Sequence, residues 1–317
     1  KHWDNNVAAR YSQRQHRPPD DIAARFYPTL GPYSSHDPQV IKKHMQQVVS
    51  SGCGVVVVSW YPPGSADCDL PTCSPPDDLL PLLLDNAHRF HIKVTLHIEP
   101  YAGRTAASVC KDLQYLSRKY GSHPALYRHG PDSLPLVYVY DSYQIQEWAT
   151  VLSLGGSLSI RGTVADAVVI GLLLKAADVG TLKAGGFDGF YTYFASRRFT
   201  FGSEWTHWPM LAAAARRHRL IFIPSVGPGY DDSSVRPWNG ANTQYRKHGR
   251  YFDESWAAAM QAGAMLVSIT SFNEWHEGTQ IEAAAPMQGY LDYAHASARD
   301  DDFYLRRNMY WVSKYLL

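Results

Sequence analysis

The chain is poor in cysteine, with four in 317 residues, too few for a disulfide framework. Cys53 opens an apolar run and Cys110 lies in a helical stretch. Cys68 and Cys73 flank a short loop rich in Pro, Asp and Ser, where a local disulfide fits an oxidising compartment. No second Cys or His pair stands at zinc-site spacing, so no metal is expected. Charge of one sign is also missing: 30 basic residues face 29 acidic ones, a formal net charge of +1. That balance offers no electrostatic reason to expect nucleic acid or an anionic membrane as partner. No apolar run is long enough to span a bilayer, and no secretory signal stands at Lys1, so any anchor is expected upstream of the chain. There is no Asn-x-Ser/Thr acceptor, and no Gly-x-Gly-x-x-Gly follows an early strand, which argues against a dinucleotide-binding sheet.

What is abundant is aromatic. Nine Trp and 21 Tyr provide flat faces with polar edges, suited to neutral, hydroxyl-rich ligands; core filling is the competing use for any one of them. A helix is predicted from Asp37-Pro38, with Asp as N-cap and Pro at the first position, through Val40, Ile41, His44, Met45 and Val48 to Ser51-Gly52. The β-branched run Val55 to Trp60 has the character of a parallel strand covered on both faces. Further strands are expected at Ile92 to Ile98, Leu136 to Tyr140, Ala167 to Leu172, Asp188 to Tyr193, Leu220 to Pro224 and Met265 to Ser271. Helices are expected near Asp77 to Arg89, Ser108 to Tyr120, Gln144 to Leu152, residues 176–184, Trp208 to His218, Glu254 to Ala262 and Phe303 to Leu317. Strict alternation over this length predicts an α/β fold, one (β/α)8 TIM barrel over residues 1–317. The helix at Pro38 has no strand ahead of it, so the first barrel strand is expected to lie before Lys1.

In such a barrel the chemistry collects at the C-terminal ends of the strands. Those ends read Trp60-Tyr61-Pro62, then His97-Ile98-Glu99-Pro100-Tyr101, then Tyr140-Asp141-Ser142-Tyr143. Tyr191-Thr192-Tyr193, Pro224 to Gly227 and Asn273-Glu274-Trp275-His276-Glu277 complete the rim. Glu274 and Glu277, three residues apart past a buried strand, are poorly explained by packing, because ionised groups are rarely buried unpaired. Glycoside cleavage needs one acid to protonate the leaving oxygen and a second carboxylate to assist at the sugar. Glu274, Glu277 and Glu99 have the right chemistry for it. Glu99 also reads as a paired structural acid, and His97 as a satisfied core histidine. Arg236 and Trp238 sit in a Gly- and Pro-rich loop, where Arg236 either meets substrate or pairs with Asp231 or Asp232.

The segments Arg17 to Ile22, Phe26-Tyr-Pro, Gly31 to Ser35, Ser59 to Pro63 and His97 to Tyr101 resemble family 99 of the glycoside hydrolases, the animal endo-α-1,2-mannosidases. So do Val139 to Tyr143, Gly186 to Ala195, Phe222 to Tyr230, Arg236 to Asn239 and Ser268 to Glu282. The resemblance runs in order through nearly the whole chain. It implies a retaining endo-hydrolase that trims glucosylated mannose branches from N-glycans, acts in the Golgi lumen or elsewhere in the secretory pathway, and needs no cofactor. It implies a mechanism without a protein nucleophile, through a 1,2-anhydro sugar. Glu274 would be the base for the sugar's own 2-hydroxyl and Glu277 the acid that protonates the leaving group. Glu99 would hold hydroxyls, with Tyr193 and Arg236 close by, and Trp60 and Tyr61 would line the subsite on the non-reducing side. Tyr61 resembles the glucose-preferring animal enzymes. His97, Tyr101, Tyr140, Asp141, Tyr191, Asn273 and Trp275 complete the expected substrate contacts. The loop Gly64 to Asp78 departs from the family pattern. A silent barrel that binds high-mannose glycans, and a retaining glycosidase with a covalent glycosyl-enzyme on Glu274 or Glu99, are the alternatives.

Overall fold

The structure, a computed structural model, describes residues 3–4, 16–65, 76–293 and 300–316. Cys68 and Cys73 lie outside the described residues; Cys53 and Cys110 are free thiols. In chain order the elements are β1 (Tyr27–Pro28), α1 (Pro38–Ser50), β2 (Val55–Trp60), α2 (Pro76–Arg89), β3 (Lys93–Ile98), α3 (Ala106–Tyr120), β4 (Arg128–His129), β5 (Leu134–Val139) and α4 (Ala149–Leu152). They continue with β6 (Val168–Leu172), α5 (Asp178–Ala184), β7 (Gly189–Tyr191), α6 (Trp208–His218), β8 (Ile221–Ile223), β9 (Ser225–Val226), α7 (Arg250–Gln261), β10 (Ser268–Ile269), β11 (Ala284–Ala285) and α8 (Phe303–Leu316). Among the described residues, no helix is long and apolar enough to cross a membrane.

The chain divides into two compact units. The first comprises residues 54–192 and 210–223 and holds the regular sheet. Its strands run β2-β3-β5-β6-β7-β8, all parallel, with β4 turned back antiparallel on β5. The interior strands are apolar runs buried along most of their length, as parallel pairing under crossover helices requires. β2 departs from that expectation: Val57 is 38% exposed, and among the described residues the strand pairs only with β3. Gly171 in β6 is needed for close approach, because a Cβ there would stand 2.5 Å from the Leu182 side chain of α5. α3 starts from a capping box in which Thr105 accepts from the Ser108 N–H and the Ser108 hydroxyl accepts from that of Thr105. The helix expected over Gln144 to Leu152 is cut to the four residues of α4, after a separate 3-10 turn at Ser142–Gln144 that follows left-handed Asp141.

The second unit comprises residues 1–53, 193–209 and 224–317 and is mostly loop and helix. α1 begins as expected, with the Asp37 carboxylate accepting from the Gln39 N–H at 2.8 Å and Pro38 at the first position. Val40, Ile41, Met45 and Val48 form its buried stripe, each contributing on the order of 1.5–3 kcal/mol on burial. Its strands are four two-residue pieces in two pairs: β1 pairs antiparallel with β11, and β9 pairs parallel with β10. The strand expected at Met265 to Ser271 is therefore not a seventh member of the regular sheet. It is reduced to Ser268–Ile269, paired with Ser225–Val226 just past Pro224, a residue with no N–H for a ladder.

Candidate active site

In the second unit the chain leaves β10 and turns sharply through a 3-10 turn at Trp275–Glu277. Backbone and hydroxyl bonds fix the turn: the Glu274 N–H donates to the Ser271 hydroxyl at 2.8 Å, and that hydroxyl meets Thr279 Oγ1 at 2.8 Å. Gly278 closes it at φ +62, where a side chain would be strained, and an added Cβ would stand 2.8 Å from the Asp231 carbonyl. The Asp231 N–H in turn donates to the Glu277 carbonyl at 2.8 Å.

Two of the three expected acids, Glu274 and Glu277, come together here with Arg236. Arg236 donates from one Nη1 to Glu277 at 3.4 Å and to Asp232 at 3.2 Å. Of the two partners weighed for Arg236, Asp232 is the one it takes; Asp231 pairs with Arg25 at 3.0 Å instead. Burial pushes the Glu277 carboxyl up to about 7, the negative charge of Glu274 adds to this, and Arg236 opposes it. The side chain keeps 23% of its surface exposed. Burial and the neighbouring acid thus favour the protonated form of Glu277, and its side chain can reach solvent or a ligand. Asp232 is fully buried, accepting also from Tyr230 Oη and Asn239 Nδ2, each at 2.9 Å. Tyr193 sits at φ +53 with its N–H on the Ser225 hydroxyl at 2.7 Å, an unusual backbone position for a tyrosine and of the kind that clusters at functional sites.

Asn273 and Trp275 point into a support. Glu282, with no exposed surface, accepts from Tyr33 Oη at 2.7 Å and Trp275 Nε1 at 2.8 Å, and stands 3.0 Å from His44 Nε2. Asn273 donates to Tyr33 Oη at 3.2 Å. Trp275 is completely buried, so the sugar contact expected of it is replaced by a packing role.

The first unit holds the remaining expected residues. His97 stands 2.6 Å from Glu99 by Nδ1 and 2.6 Å from Tyr191 Oη by Nε2. With its proton on Nδ1 the ring would donate to Glu99 and accept from Tyr191 Oη. His97 and Tyr191 are buried, and Tyr140 lies ring to ring with His97 at 5.3 Å. Arg104 binds the carbonyls of Tyr140 at 2.7 Å and Asp141 at 3.1 Å, holding Asp141 at φ +48. Burial raises the Asp141 carboxyl above its ordinary range. Tyr101 donates to Asp112 at 2.5 Å, which spends its hydroxyl on a helix rather than a ligand. Tyr61 is 9% exposed. Trp60 is 1% exposed and donates to Asp77 at 2.9 Å; like Trp275, it packs where a sugar contact was expected.

Sequence reasoning passed over Glu282, Tyr230 and Arg104. Glu282 carried a signal, since an acid inside the run Ile281 to Ala285 must be paired to be buried. Tyr230 lay in a loop without periodicity and gave none.

A carboxyl pushed toward its protonated form, three residues after a second acid and on an α/β chain, is the equipment of a glycoside hydrolase. The chain belongs to glycosyl hydrolase family 99, whose sequence profile matches residues 1–316. It is 47% identical over 323 residues to the glycoprotein endo-alpha-1,2-mannosidase-like protein of Danio rerio, covering 99% of this chain and 72% of that protein. It is 46% identical over 322 residues to the glycoprotein endo-alpha-1,2-mannosidase of Xenopus laevis, covering 100% of this chain and 71% of that protein. The structure of the GH99 endo-alpha-mannosidase from Bacteroides thetaiotaomicron matches with a TM-score of 0.86 at 43% identity, over 94% of this chain and 85% of that one. The match carries the fold class, α/β of the TIM-barrel type.

Proposed function

We propose that the chain is a retaining endo-α-1,2-mannosidase that cleaves glucosylated mannose branches from N-glycans, with residues 1–317 as its catalytic domain and the secretory pathway, in the Golgi lumen, as its place of action. The observation that carries the reading is the Glu274–Glu277 turn. Its second acid has its pKa raised by burial and by its neighbour, in a chain whose relatives are named for this activity.

In the proposed reaction, the Glu274 carboxylate takes the proton of the sugar's 2-hydroxyl as that oxygen closes onto C1. The C1–O bond to the leaving sugar breaks, and Glu277 gives its proton to the departing oxygen. Glu277, now a carboxylate, takes a proton from water as the water oxygen attacks C1. The three-membered ring opens and its oxygen recovers the proton from Glu274. Two inversions at C1 leave the configuration retained, and both acids return to their starting states. Glu99, oriented by His97 and Tyr191, accepts hydroxyl hydrogen bonds from the sugar. Tyr193, Arg236 and Tyr61 complete the contacts.

The test is release of a glucosyl-mannose disaccharide from a monoglucosylated high-mannose glycan, with the product's anomeric form followed by NMR. The expected outcome is the α-anomer as first product and no glycosyl-enzyme in the intact mass spectrum. A covalent adduct on Glu274 or Glu99 would overturn the mechanism. Binding without any release would leave a glycan-binding barrel in its place.

A further inference from the structure

We propose that Arg246 is a positioning residue for the acid turn, a guanidinium caged by aromatic rings that holds the chain just past Glu277. Its Nη2 donates to the carbonyls of Gly278 at 2.9 Å and Gln280 at 2.8 Å. Its guanidinium carbon lies 4.4 Å from the centroid of Phe26, 4.5 Å from Tyr304 and 4.8 Å from Tyr293. Nε and Nη1 are buried and make no hydrogen bond among the described residues. Leaving buried donors without acceptors is costly, and three ring faces, each favouring a cation, are what offsets it. A buried arginine that gives two carbonyl bonds and relies on rings for the rest fixes a position; it does not neutralise a carboxylate.

The position it fixes is the relevant one. Gly278 is the residue after Glu277 and caps the turn, its N–H on the Trp275 carbonyl at 3.2 Å. The Thr279 N–H, between the two clamped carbonyls, donates to the Glu274 carbonyl at 3.3 Å. Tyr293 reinforces the clamp, donating to the Gln280 carbonyl at 3.2 Å and the Glu282 carbonyl at 2.9 Å. On the other side, Gln244 exchanges two backbone bonds with Tyr230, at 3.0 and 2.8 Å, two residues before Asp232. Arg246 therefore ties the segment carrying Tyr230, Asp232 and Arg236 to the turn carrying Glu274 and Glu277. Those five are the charged and titratable groups that face one another here, and their spacing is what the clamp sets.

The inference rests on Glu277 as the proton donor, so its test needs one readout that does not depend on turnover. Arg246→Met and Arg246→Lys in the full chain are compared with wild type by carboxyl ¹³C NMR titration of Glu277 and by kcat and KM on the glucosylated glycan. Arg246→Met is expected to lower kcat by about 100-fold, the loss associated with misplacing a catalytic group by about 1 Å, with KM changed less than about threefold. Its Glu277 midpoint is expected to move by about half a pH unit or more, with Arg246→Lys between. A fall in Tm with kcat and midpoint both unchanged would show a core group only and overturn the proposal. If wild type itself turns nothing over, the midpoint alone decides. If Arg246→Met does not fold, Phe26→Leu removes one wall of the cage. A kcat loss of about threefold or more, with KM kept, then supports the clamp; an unchanged kcat and midpoint rejects it.

Discussion

Glu99 and Glu277 are the same residue type put to use by opposite means. Glu99 follows β3, a strand held in register by β2 and β5, and one histidine suffices to orient it. Glu277 follows β10, a two-residue strand, in a turn where backbone ladders end. Side chains must supply what the ladder does not: Ser271, Thr279, buried Glu282 and Arg246 all bond to the turn or to each other around it. In the turn, burial and Glu274 raise the carboxyl to about 7. A regular element places a carboxylate to accept hydrogen bonds, whereas an irregular one permits the close acid pair that tunes a proton donor.

The largest effect that would break this comparison comes from Glu277→Gln set against Glu99→Gln. If Glu277 is the proton donor as proposed, its removal is expected to lower kcat by about 10³-fold or more on a poor leaving group, within the range of general acid catalysis. Activity should return in part on an activated fluoride or aryl leaving group, which needs no proton. Glu99→Gln is expected to cost about 10²-fold with both leaving groups alike. If the two variants respond identically to leaving-group activation, the division of roles between the two acids is wrong.

The proton donor's pKa sharpens the contrast further. In the proposed reaction Glu277 acts protonated, so the alkaline limb of kcat/KM should fall as pH rises through about 7. Arg236 favours the ionised form and so lowers that value; Arg236→Met removes the opposition and should carry the limb to higher pH, by about one unit. The direction is the test. A limb that moves to lower pH, or stays, would mean that Arg236 does not act on Glu277.

How much was legible follows the same division. α1, α2, α3, α5, α6 and α8 and the strands β2, β3, β5 and β6 stood where periodicity and caps put them, because their apolar patterns repeat over whole elements. The strand over residues 265–271 did not, because an apolar run reports burial and not which ladder it joins. The acids Glu274, Glu277 and Glu99 were legible as charges at strand ends. Asp232 was legible as one of two partners for Arg236, four residues on. Arg246 and Glu282 were not, since they bond across sequence gaps that spacing cannot reveal. Trp60 and Trp275 were expected to touch sugar because the resemblance placed them there, and a motif position does not show whether an indole face is open or packed.

Trp60 provides the smallest and last test, in the regular unit. Asp77, 3% exposed, accepts from Trp60 Nε1 at 2.9 Å, Tyr115 Oη at 2.6 Å, Lys119 Nζ at 2.7 Å and Tyr120 Oη at 3.1 Å. Burial pushes this carboxyl up, but the donors, Lys119 foremost, outweigh it and hold it below the usual range. A depressed carboxyl stabilises the fold above its unfolded pKa, and that stabilisation is lost as pH falls through the folded value. Asp77→Asn keeps the shape, gives up the charge-assisted bonds and should cost about 1–2 kcal/mol at pH 7 by denaturant titration. The gap to wild type should narrow below about pH 4 as the wild-type carboxyl protonates. If Trp60 only packs, KM for the glycan should stay within about twofold at 25 °C in the folded variant, since no sugar-facing surface has moved. A KM raised fivefold or more, with the stability loss as stated, would make Trp60 a sugar contact after all and Asp77 the residue that aims it.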